Sequence, residues 1–158
     1  MRKLTSIESQ TKFGQVDIAE IDLNPRCRDD ITKMLRGLQH IYTTPELRER
    51  VFQVLEKEVP VADTENGRPG MELWRILVLG LLRVCCGCDW DRVCNLANHH
   101  SQLREMMGID EWEDKAKFPL QTIKDNVSLL KVDTINKINT VVTEAGHKLV
   151  KKKLKSLD

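Results

Sequence analysis

The run from Met71 to Cys86 constrains the fold more than any other stretch of the chain. Twelve of its sixteen residues are apolar, and at helical spacing they point to every side. A helix that is apolar all round needs protein on every face, which predicts a buried central helix within a multi-helix domain. A membrane offers no alternative burial. Spanning takes roughly 20 apolar residues, and this shorter run holds Glu72, Arg75 and Arg83. The residues after the run are equally directive. Gly87 suits the left-handed residue just past a helix end. Asp89 suits the N-cap of a further helix to about His99, because its carboxylate can accept from the first free amides. Ser101 is then expected to cap a short helix over 102–107, closed by Gly108.

Helical periodicity also dominates on either side of this centre. Ile31, Met34, Leu35, Leu38 and Ile41 predict a helix over about 27–42, after the Asn24-Pro25 turn signal. Thr44-Pro45 reads as an N-cap followed by proline at the first helical position. Leu47, Val51, Val54 and Leu55 carry that helix to about Glu58, where Pro60 stops it. Residues 60–70 form a loop with Asn-Gly and Pro-Gly turn signals. Residues 109–119 are acidic and irregular. Leu120, Ile123, Val127 and Leu130 mark another helix, and Asp133 is expected to cap a long one to about Leu157. At 1.5 Å per residue that last helix would run about 37 Å. No stretch alternates like a strand, so the fold class is all-α. Residues 1–24 are expected as an extended arm packed through Val16, Ile18 and Ile21, and residues 25–158 as the helical domain.

The 25 Lys and Arg nearly balance 24 Asp and Glu. That excludes a uniformly basic nucleic-acid coat, but the charge is unevenly placed. Residues 120–158 carry eight lysines against four acids, while 109–119 carry four acids against two lysines. Aromatics are too scarce, at 4%, for an RNA-type stacking platform. Four of the five cysteines crowd into Cys85–Cys94, unlike the spread of a secreted disulfide framework. The N-terminus shows no apolar core of a signal peptide. The expected compartment is a reducing cytoplasm, with no membrane contact.

Cys85, Cys88, Cys94 and His99 could in principle converge as a zinc site. The spacing matches no standard finger, and cysteines closing a buried helix behave as small hydrophobes, so no metal is expected. The histidines and carboxylates form no catalytic cluster, and phosphate-loop and nucleophile-elbow motifs are missing. The corner through Cys86-Gly87-Cys88-Asp89 is more informative, since two helices joined by a glycine-containing turn fit a helix-turn-helix. Trp90, Val93, Leu96 and Ala97 would face the core. Asp91, Arg92, Asn95, Asn98 and His99 would stay outside, with Gln102 and Arg104 on the next helix. Arg and Asn are the side chains that read guanine and adenine edges bidentately. In the long final helix Ile135, Ile138, Val142, Ala145 and Leu149 form a heptad-spaced stripe fit for dimerisation or docking. Lys148, Lys151, Lys152, Lys153 and Lys155 follow, at a density that suits phosphate contact.

These segments together resemble the N-terminal, InsH-type domain of bacterial insertion-sequence transposases of the Asp-Asp-Glu class, in an ISNCY-like branch. The resemblance is carried by Gly67-Arg68-Pro69-Gly70, the apolar run from Trp74 to Leu82, Cys86-Gly87-Cys88-Asp89-Trp90-Asp91, and Leu103-Arg104-Glu105-Met106-Met107-Gly108. The flanks Cys27 to Ile31, Leu35 to Gln39, Gln121 to Leu130, Ile135 to Asn139 and Glu144 to His147 extend it over nearly the whole chain. It implies an all-α, non-catalytic piece that binds the terminal inverted repeats of its element as double-stranded DNA and helps to pair subunits as a homodimer. The catalytic triad, with its magnesium ions, would lie beyond residue 158, so no residue here inherits a catalytic role and no cofactor is expected. Base contact then falls to Arg92, Asn95, Asn98 and Arg104, and phosphate contact to Arg68, Lys151, Lys152, Lys153 and Lys155. The alternative is an interaction module without DNA contact, working through the stripe Ile135, Ile138, Val142 and Leu149.

Overall fold

The computed structural model describes residues 16–60, 70–109 and 117–156. Among them are seven α-helices, a single 3₁₀ turn and no strand. The central helix is α3 (Leu73–Cys85), where Ile76, Leu77, Val78, Leu79 and Leu82 are fully buried. The first two helices, α1 (Asp30–Thr43) and α2 (Pro45–Glu58), pack against it. So do α4 (Trp90–His99) and α6 (Leu120–Val127). Only the last turn of α3 emerges, exposing Arg83, Val84 and Cys85. The expectation of an apolar helix wrapped by its neighbours therefore holds.

Side chains fix the relative direction of these helices. Met34, near the start of α1, lies against Cys86 at the end of α3, with the sulfurs 4.0 Å apart. Tyr42, near the end of α1, packs on Trp74 at the start of α3, with ring centroids 5.1 Å apart. α1 and α3 are thus antiparallel. Phe52 of α2 also packs on Trp74 at 5.9 Å, and the indole nitrogen donates to the Met106 carbonyl at 2.8 Å. Met106 ends the short helix α5 (Ser101–Met106).

The stop and start signals behave largely as chemistry dictates. Gly87 and Gly108 are the described residues with positive φ, at +62° and +72°, a conformation that only glycine adopts without strain. The Asp89 carboxylate accepts from the Arg92 amide at 2.8 Å, capping α4. Several boundaries differ from expectation: α3 starts at Leu73 rather than Met71 and α6 ends at Val127 rather than Leu130, and three more helix starts shift. α1 starts at Asp30 rather than near 27, because Asp29 accepts from the Ile31 amide at 2.8 Å. α5 is capped by the His100 ring, whose Nδ1 accepts from the Leu103 amide at 3.2 Å, and Ser101 lies inside the helix. The last helix, α7 (Val132–Ser156), begins one residue before Asp133, whose carboxylate sits in the first turn, where the helix dipole favours it.

Of the expected arm, residues 16–24 are described and the rest lies outside the described residues. The 3₁₀ turn Ile18–Glu20 buries Ile18, and Ile21 and Leu23 follow it into the core. The Gln39 amide donates to the carbonyls of Ile18 and Ile21 at 2.9 and 3.0 Å. Gln102 reaches the Asp22 carbonyl at 2.7 Å. The segment is tied to the domain by these three carbonyl bonds as well as by its apolar side chains.

α7 runs antiparallel along α2. Lys137 pairs with Glu58 at 2.6 Å, and Glu144 with Arg50 at 2.9 Å. Ile135 and Ile138 are buried, Val141, Val142 and Ala145 half-buried, and every residue from Gly146 to Ser156 is exposed. Five residues of α2 remain beyond Arg50 and twelve of α7 beyond Glu144, so α7 outruns its partner by about seven residues, or about 10 Å.

Candidate nucleic-acid interface

The turn at Gly87 joins α3 to α4 and leaves one side of α4 uncovered. Val93 and Ala97 are buried, Trp90 and Leu96 half-buried, and Asp91, Arg92, Asn95 and His99 exposed. Apart from Asn98, the helix faces follow the expected phase. Arg92 and Asn95 lie one turn apart on the uncovered side, the spacing at which two side chains can reach adjacent positions. Arg83, at the emergent end of α3, holds its guanidinium 4.0 Å from the Trp90 ring centroid, a cation–π contact that fixes a further positive charge at the corner. Arg83 is not among the contacts expected from the sequence. Its place near a helix end, seven residues ahead of an aromatic that opens the next helix, is the signal that could have found it.

Two members of the expected base-contact set have other work. The Asn98 amide donates to the carbonyls of Cys94 and Phe118 at 2.9 and 3.0 Å, and its oxygen accepts from the Phe118 amide at 2.7 Å. Asn98 therefore clamps residue 118 onto α4 rather than facing outward. Arg104 is half-buried and donates to the Ala97 carbonyl at 2.9 Å, tying α5 to the end of α4. Asn98, whose amide nitrogen and oxygen both satisfy nearby backbone, cannot also read a base without leaving those groups unpaired.

The expected phosphate contacts divide likewise. Lys151, Lys152, Lys153 and Lys155 are all exposed on the overhanging end of α7, together with Lys148. Arg68 lies outside the described residues. In the stripe, Ile135 and Ile138 are taken into the domain's own core and Val142 is half-buried, leaving Leu149 exposed at 56%. Val150 and Leu154 beside it are as open, at 58% and 59%.

The two sets of expected contacts lie toward opposite ends of α3. The α4 corner is at its C-terminal end. The overhang lies past the start of α2, at the α1–α2 junction, which Tyr42 brings to the start of α3. The structure does not bring the two sets together.

The cysteines do not converge. Cys85 is exposed, Cys88 is buried, and Cys94 directs its thiol at the Phe118 carbonyl at 3.4 Å. Burial pushes the Cys86 thiol up to about 11. Among the described residues no group of three His, Cys, Asp or Glu side chains is placed to hold a metal ion. No helix of the described residues is long and apolar enough to cross a membrane. No family model, characterised protein or solved structure matches this chain.

Proposed function

We propose that this chain is a DNA-binding and assembly domain, of the kind that precedes the catalytic domain of insertion-sequence transposases, acting on the terminal inverted repeats of its element. The observation that carries the reading is the uncovered side of α4, where Arg92 and Asn95 stand one turn apart behind a glycine turn. Arg92 and Asn95 supply base readout, and Arg83 supports them as a nearby cation. The lysines of the α7 overhang supply sequence-blind phosphate contact, which positions the protein without specifying the site. The chain contributes recognition and not strand cleavage.

A second reading is favoured by Leu149, Val150 and Leu154, large apolar side chains left exposed on the overhang. They suit docking against a second copy or a neighbouring domain. Fluorescence anisotropy separates the two. The chain is titrated with duplex carrying the element's ends and with a scrambled duplex, at about 50 and 200 mM salt, the range over which phosphate contacts reveal themselves. Preference for the ends, lost in Arg92→Ala, supports recognition. Replacing the four overhang lysines Lys151 to Lys153 and Lys155 by glutamine should flatten the salt dependence for both duplexes alike. Equal, salt-insensitive behaviour toward both duplexes, with a dimer in light scattering, supports the docking reading instead.

A further inference from the structure

The outer side of α1 carries a feature that neither the core nor the corner explains. Lys33, Arg36 and His40 are on the side of the helix away from the buried Ile31, Leu35 and Leu38, and follow one another at helical spacing. Between them sits Gly37. A Cβ built there meets nothing within 4 Å, so no packing requirement of the described residues excludes a side chain. Apart from proline, glycine is the least favourable residue in a helix interior. A bare, cationic stretch of exposed helix is what a close-approaching anionic backbone would select.

The surroundings are arranged for the same chemistry. Arg36 spends one donor on the Pro25 carbonyl at 3.1 Å, which steadies the guanidinium and leaves other donors of its fork. Arg36, His40, Thr43, Gln39 and Ala19 line a shallow pocket of about 430 Å³ between α1 and the 3₁₀ turn. Two acids on the adjoining segments are engaged as caps, Asp29 on the Ile31 amide and Asp17 on the Ala19 amide. Asp30 and Glu20 remain as neighbouring carboxylates on those segments.

We propose that the outer ridge of α1, formed by Lys33, Arg36, Gly37 and His40, contacts the phosphate backbone of double-stranded DNA. The proposal rests on the DNA-binding reading above. From Lys33 to His40 the ridge covers about 10 Å, long enough to span neighbouring phosphates of one strand. α1 itself runs antiparallel to α3, so along the α3 axis its ridge lies between the end that carries the α4 corner and the end that carries the lysine overhang.

The test uses Gly37→Gln and Gly37→Glu, which have the same shape and differ in charge. Both sit in open space on a helix, so both should raise Tm by about 2 °C, and neither can lose binding by unfolding. The glutamate also lies one turn after Lys33 and competes for it. On duplex DNA, Gly37→Gln should bind more weakly than the natural chain, because the backbone can no longer approach closely. Gly37→Glu should bind about eightfold more weakly still at 0.1 M salt, with a salt slope lower by about one, the loss of one phosphate contact. Lys33→Gln should show the same change in slope. If all three variants match the natural chain in affinity and slope while that chain binds steeply, the ridge is not a contact surface and the DNA reading stands. If the natural chain shows no salt-dependent binding at all, the DNA reading fails and the ridge proposal falls with it.

Discussion

Replacing Asn98 by alanine should unfold the domain more easily and, on the proposed DNA-binding reading, leave the folded protein's preference between duplexes intact. The side chain makes three bonds of 2.7 to 3.0 Å, two of them to the backbone of Phe118. Each such bond contributes about 1 kcal/mol net, and a partner left unpaired in a half-buried place loses somewhat more. The bond to the Cys94 carbonyl adds less, because that carbonyl already belongs to the α4 ladder. The sum is a loss of about 2–3 kcal/mol. For a domain of this size each kcal/mol moves Tm by about 2–4 °C, so Tm should fall by about 7 °C. Asn98→Asp gives no rescue. It can still accept from the Phe118 amide, but it sets a carboxylate against two carbonyl oxygens. The assay is thermal unfolding followed by helical circular dichroism, paired with DNA anisotropy well below the transition. A variant that keeps its Tm but loses its preference between duplexes would refute the clamp and restore Asn98 to the base-contact set.

Two glycines should respond to alanine with opposite signs. Gly37→Ala fills open space and gains about 0.5–1 kcal/mol of helix propensity. Gly80→Ala gains as much but drives its methyl into the Leu130 side chain. Overpacking costs about 1–3 kcal/mol, so a net loss near about 1 kcal/mol is expected in denaturant titration. The Lys137–Glu58 pair should matter only above the acid range. The Lys137 hydrogen bond holds the Glu58 carboxyl below its ordinary value, so its stabilisation is present at neutral pH and lost as pH falls through that lowered value. The Tm difference between the natural chain and Lys137→Met should therefore vanish in acid. Cys86 should resist alkylation at mildly alkaline pH while exposed Cys85 reacts, since burial holds the Cys86 thiol at about 11. The folded state keeps that thiol neutral beyond the ordinary value of 9.0, so its contribution to stability disappears as pH rises toward about 11, and Cys86→Ala should flatten that alkaline decline. Mass spectrometry of the labelled protein and Tm against pH read the two effects.

Whatever a single helix decides for itself is legible in the sequence. The apolar phase of Ile31, Leu35 and Leu38, and of Val93 and Ala97, depends only on helical geometry, and those residues are buried as expected. Gly87 and Asp89 are legible because a left-handed backbone and a free amide each demand particular chemistry. The cap at His100 shows the limit of residue preference, since a ring nitrogen takes the role expected of a neighbouring serine. The place of Asn98 beside Asn95 suggests an outward side chain. Its partner is Phe118, twenty residues on, and no local pattern announces such a partner. The same holds for α7. Its stripe is legible as amphipathic, but a stripe does not state what covers it. Ile135 and Ile138 close on the domain's own core, and Leu149 does not, because α7 outruns α2.

That geometry also resolves an apparent conflict in the charge. A net charge of +1 gives a polyanion little overall attraction, yet contacts screened over about 8–10 Å respond to local and not total charge. α3 is thirteen residues long, which is about 20 Å, or roughly six base pairs at 3.4 Å each. The lysine overhang and the α4 corner are separated by at least that much, well over a screening length. Each would therefore meet its own stretch of backbone if the chain binds a duplex as proposed. On the proposed reading, a duplex that offers a groove to Arg92 and Asn95 would present its flanking phosphates, more than half a helical turn away, to the overhang. On that reading, separate ends let phosphate contact set register without crowding the base-reading side chains.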